Sequence, residues 1–141
     1  MEFGVLGDLN WFAVIVAGLL YYALGALWYA QAVFGRTWQQ SMGWQPPDDY
    51  RPSPLMYLVP LVTCLVTAIA VGMLAEASAT DTFGEGIVLG LVAGIGVAAT
   101  SLYVTGFFDP QKPKPMTTTA INSGYHVVGI LLVGAIVGSW T

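Results

Sequence analysis

Four stretches of this chain are each long and apolar enough to cross a bilayer, and no other feature constrains the fold as much. A helix needs about 20 apolar residues to span the hydrocarbon core. The runs 11–30, 55–75, 83–105 and 118–140 meet that requirement. None carries a charge in its middle apart from the ionisable His126. Of the 141 residues, 56% are hydrophobic and 9% charged, against about a quarter charged in a soluble domain. No water-soluble fold of this size could hide that much apolar surface. The expectation is a single all-α membrane domain over residues 1–141, built as a four-transmembrane-helix bundle.

The segments between the runs add detail. Asp8 or Asn10 can cap the first helix, and RPSP (51–54) breaks the chain before the second. Trp11, Trp28, Tyr29, Tyr57, Phe107, Phe108 and Trp140 sit at the run ends, as an aromatic belt at headgroup depth requires. In the first long loop Phe34, Trp38 and Met42 recur every four residues, with Arg36, Gln39 and Gln40 off that stripe. This spacing predicts a short interfacial helix lying on the cytoplasmic leaflet. The stretches QPPDDYRPSP and DPQKPKP are proline-rich and irregular.

Charge sets an orientation. Arg36 and Arg51 follow the first run, and Lys112 and Lys114 follow the third. The opposite side carries Glu2, Asp8, Glu76, Asp81 and Glu85 and no Lys or Arg. By the positive-inside rule both termini are expected outside and both basic loops in the cytoplasm. The opening MEFGVLGDLN has no basic stretch before an apolar one, so a cleaved signal peptide is not expected. The net charge of −4 argues against nucleic acid as a partner. Cys64 is the only cysteine, which excludes an intrachain disulfide and a cysteine metal cluster. No metal site is expected.

Helices in lipid associate through small residues that let backbones approach. Gly86, Gly90 and Gly94 form such a stripe in the third run, Gly134 and Gly138 in the fourth, and Gly18 and Gly25 in the first. These stripes can serve packing within the chain or a homo-oligomer interface. Pro60 should kink the second run or free a carbonyl.

The fourth run poses the functional question, because it carries Asn122 and the ring of His126 one turn further on. At 1.5 Å per residue His126 lies about 12 Å inside the cytoplasmic end. Tyr22, Thr63, Thr100 and Ser101 fall in the same half of the other runs and are the candidate hydrogen-bond partners, with Tyr125 beside the ring. A polar group left unpaired in hydrocarbon costs several kcal/mol. The layer can therefore be a bonded plug that fixes register. It can be a substrate or proton site, or His126 can be the axial ligand of a haem or chlorophyll-type pigment. A nucleophile–base pair and a nucleotide loop are both missing, so no enzyme and no cofactor are expected. The leading expectation is an accessory or structural membrane subunit acting through helix–helix contacts with itself or a larger membrane complex. A small transporter or channel around His126 is the alternative.

Several motifs together resemble a known family. They are Asn10–Trp11, GALWY (25–29), Phe34-Gly35-Arg36 with Trp38, Met42–Gly43, INSGYHVVG (121–129) and GAIVGSW (134–140). The chain resembles the small bacterial four-helix membrane proteins grouped as domain of unknown function 1761. Ser123 stands where that pattern usually has alanine. The resemblance implies the four-helix fold and a bacterial inner-membrane location. It also implies that Trp28, Tyr29, Asn122, Tyr125 and His126 belong to the shared pattern.

Overall fold

The computed structural model describes residues 3–140; Glu2, counted above for orientation, lies outside the described residues. All regular structure among these residues is helical. Four helices are long and apolar enough to cross a membrane: α1 (Trp11–Trp28), α3 (Leu55–Ala77), α4 (Phe83–Phe107) and α5 (Pro115–Ser139). A short helix, α2 (Arg36–Met42), follows a wide turn over Gln31–Gly35. Large apolar side chains such as Val88, Val92 and Val97 stay more than half exposed on the outer faces. That exposure suits hydrocarbon surroundings and would be intolerable in water.

The helix ends are set locally. Asn10 caps α1, its Oδ1 accepting from the Ala13 amide at 3.1 Å while its Nδ2 donates to the Trp140 carbonyl at 2.8 Å. One side chain thus starts the first long helix and ties it to the end of the last. Thr82 caps α4 by accepting from the Glu85 amide, and Glu85 reaches back to the Asp81 amide, a variant of the capping box. Gly43 ends α2 in the left-handed conformation (φ 68°), where a side chain would be strained. Pro115 opens α5 in the first turn, where its missing N–H costs nothing. Just before it the Lys112 ammonium bonds Asp109 and holds that carboxyl below the usual carboxylate range.

Helix α5 is the hub and touches each of the other helices. Half of its most apolar window (50%) is buried inside the chain, against 11% for α4. Its two sides pack differently. Toward α4 the backbones meet directly. A Cβ on Gly86 would lie 2.2 Å from the Gly134 carbonyl oxygen, and one on Gly134 2.3 Å from that of Gly86. Gly90 abuts the Leu131 backbone, Gly94 that of Val127, and Gly138 the Thr82 carbonyl. Toward α1 the glycines of α5 receive rings: Tyr21 lies on Gly129 and Trp28 on Gly124. Gly18 packs on Leu65 and Ala68 of α3, and Gly25 on the Tyr125 ring. The small-residue stripes are therefore occupied within the chain.

The Phe34–Trp38 stripe meets protein as well as its surroundings, with Phe34 still exposed. The Phe34 ring packs on Trp28 with centroids 4.8 Å apart, and Trp38 reaches Asn122. The Ser41 hydroxyl bonds that of Thr118 at 2.7 Å, and the Lys114 amide donates to the Ser41 carbonyl, so α2 clamps the start of α5. In α4 a wide turn over Gly94–Ala99 adds a residue to the helical count. From there on Ala98, Leu102 and Gly106 are half-buried, inward positions, and Thr100 and Ser101 are exposed.

Gly86→Ala and Gly134→Ala should each force α4 and α5 apart and cost about 1–3 kcal/mol, the range for overpacking a tight contact. Gly96→Ala meets nothing within 4 Å and should leave stability unchanged or raised. Thermal unfolding in mild detergent, followed by circular dichroism, measures all three.

Candidate functional site

Four polar residues of α5 fall on consecutive turns: Thr118, Asn122, then Tyr125 and His126. Helical periodicity puts these four on one side, and each of the four finds a partner outside α5. Asn122 Oδ1 accepts two hydrogen bonds, from the Tyr29 hydroxyl at 2.9 Å and from the Trp38 indole N–H at 3.0 Å. An indole N–H can only donate, which fixes the orientation of the amide. The Trp28 indole donates to the Ile121 carbonyl at 3.1 Å. One turn deeper the Tyr125 hydroxyl donates to the Tyr21 carbonyl at 3.3 Å and contacts Cys64 Sγ at 3.3 Å. The Tyr21 hydroxyl bonds Nδ1 of His126. Helices α1, α2, α3 and α5 are thereby stitched together.

The candidates are not all brought together. His126, Asn122 and Tyr125 share this seam. Tyr22, Thr63, Thr100 and Ser101 do not bond Asn122 or His126. Thr63 donates to the Pro60 carbonyl and Thr100 to the Gly96 and Val97 carbonyls, each on its own helix. Thr100 and Ser101 are exposed, for the reason of register given above. Tyr22 and Thr63 lie on a cavity wall near the ring. The partners that the sequence reading missed are Tyr21, Tyr29 and Trp38. Tyr21 is 1% exposed because Gly129 makes room for its ring, and no local sequence pattern marks a glycine as the seat of a tyrosine 108 positions away. Ser123 is buried with no hydrogen-bond partner among the described residues.

A cavity of about 480 Å³ reaches this seam. Its walls are Tyr22 and Ala26 of α1, Tyr29 just past the end of α1, and Tyr57, Pro60 and Thr63 of α3, and Tyr125 and His126 of α5 form its floor. Volumes of 300–1,000 Å³ with apolar walls and few polar groups are those of small-molecule sites. Ala26, Tyr57, Val59, Pro60 and Thr63 on its rim are exposed. The rim lies within the apolar runs, so the cleft opens through the flank of the bundle toward lipid. On its floor Nδ1 of His126 is engaged by Tyr21, and no group among the described residues bonds Nε2.

Asn122→Leu would strand the Tyr29 hydroxyl and the Trp38 indole N–H, and His126→Leu the Tyr21 hydroxyl. Each should lower stability by about 1–3 kcal/mol, the cost of orphaned buried donors. In the Asn122→Leu background a further Tyr29→Phe should cost almost nothing. Thermal melts of the single and double variants in detergent check the coupling.

Neither the curated proteins nor the solved structures contain a match to this chain. A family model described as a protein of unknown function (DUF1761) matches residues 12–138, nearly the whole length and all four long helices, and the chain belongs to that family.

Proposed function

We propose that this multi-pass membrane protein binds or passes a small lipid-soluble molecule in the cleft between α1 and α3. The observation that carries the proposal is a cavity about 480 Å³ in volume whose floor is a histidine with one ring nitrogen unpaired. An intramembrane ionisable group is a functional candidate when it meets a cavity. A plug serving register alone would need no space beside it. The lining holds tyrosine, threonine and histidine and no carboxylate, which supports binding or passage of a neutral molecule over proton-coupled exchange of cations. This reading takes the chain to lie in a bacterial inner membrane, as the family resemblance implies, with both termini outside, which the basic residues of the 31–54 and 109–114 loops support.

A second reading, an accessory subunit, rests on a different observation. Leu55, Met56, Tyr57, Leu58 and Val59 are five successive residues, each more than half exposed. Five successive positions cover every side of a helix, so the first turns of α3 have room for a partner helix.

Photo-cross-linking with a diazirine-bearing alkyl ketone should label peptides from 22–29 and 56–64. Ala26→Trp, which fills the cleft from its exposed rim, should abolish the labelling while the protein still elutes as folded. Labelling spread evenly over the outer faces of all four long helices would refute a specific cleft. Untagged native protein on a sizing column in mild detergent tests the second reading: co-elution with a large complex supports it. The visible spectrum of the same peak tests a third role. A band lost in His126→Ala would make the ring a haem or pigment ligand.

A further inference from the structure

Tyr21 decides which face of the His126 ring the cleft sees. The tyrosine is buried, and the only group bonded to its hydroxyl among the described residues is Nδ1 of His126. A buried hydroxyl proton needs an acceptor. With Nδ1 as that acceptor, the neutral ring carries its own proton on Nε2. In the opposite tautomer Nδ1–H would donate to the tyrosine oxygen and leave the buried tyrosine proton without an acceptor. Nε2 has no protein partner among the described residues, while the ring forms part of the cleft floor.

We infer that Tyr21 is a positioning residue that holds His126 as an Nε2–H donor, and that the ligand of the cleft is a neutral lipophile with a carbonyl oxygen to accept from it. This rests on the cleft being a ligand site. Three observations narrow the class. The donors there are neutral, the ring N–H with the tyrosine hydroxyls of the walls, and Arg and Lys do not line the cavity, so nothing there compensates an anion. Ammonium-type ligands find no carboxylate. The walls are mostly apolar aromatic and aliphatic surface that opens to the flank of the bundle, so the molecule arrives from the hydrocarbon. Pro60 withholds the amide that would bond the Met56 carbonyl in a regular helix. Met56 is at the rim, so a ligand hydroxyl near the carbonyl would also find an acceptor there.

The chain has a single histidine, so the ring can be read by nuclear magnetic resonance without assignment ambiguity. Tag-free protein labelled with ring-15N histidine is prepared in dodecyl maltoside, a detergent without carbonyl groups. The probes are 2-undecanone and undecane, which differ only by the carbonyl oxygen. The expected spectrum has the proton on Nε2, and 2-undecanone moves that proton downfield whereas undecane leaves it in place. Tyr21→Phe should yield a mixture of tautomers and a weaker response to the ketone. The wild-type tautomer is an independent readout should that variant fold poorly. A wild-type ring protonated on Nδ1, or equal responses to ketone and alkane, would overturn the donor assignment while cross-linking to the cleft persists. No response to either probe, together with cross-linking spread over the outer faces, would overturn the cleft and the donor assignment alike.

Discussion

Inside a bilayer no water stands ready to replace a lost hydrogen bond, so a polar side chain there dictates its neighbours. Helix α5 carries Asn122, Tyr125 and His126 through that region, and their demands organise the rest of the molecule. Tyr29 and Trp38 converge on one amide oxygen, Tyr21 on one ring nitrogen, and Tyr125 reaches both Cys64 and the Tyr21 carbonyl. The short helix α2 is held to the bundle by the same logic. Its indole belongs to the seam, and its Ser41 closes on Thr118.

The two sides of α5 use glycine for different ends. Against α4 the glycines bring backbone to backbone, which maximises dispersion contact where the hydrophobic effect supplies no drive. Against α1 they make seats for tyrosine and tryptophan rings, whose polar tips then reach the seam. Those rings hold α1 on α5, and Tyr125 holds α3 only as far down as Cys64. Below that contact α3 stands off, the five residues from Leu55 to Val59 are left bare, and the cleft is the space between. The polar seam is well bonded on its protein side and open at His126 Nε2, the observation on which the proposed ligand site rests.

Much of this architecture is legible in the chain itself. The four runs at 11–30, 55–75, 83–105 and 118–140 become helices ending within three residues of those bounds, because burial in lipid depends on local hydropathy. The glycine stripes of α4 and α5 are equally plain. The site is less so. Depth picked out Tyr22, but the rotation of α1 presents Tyr21 to the ring. Thr100 and Ser101 have the right depth and face away, because the extra residue in the Gly94–Ala99 turn shifts the face of α4 by one position. The Phe34–Trp38 stripe has the period of an interfacial helix, and period alone does not show that its Trp38 also donates to Asn122.

What the amino-acid order determined by itself was the number of crossings, the depth of each polar group and the small-residue faces, all properties of one helix at a time. The tertiary structure alone decided which tyrosine meets His126, which nitrogen of that ring is left open, and that a cavity lies beside it. These depend on the rotation of each helix about its axis and on the glycines that let distant rings in. Both are set only when the helices pack against one another.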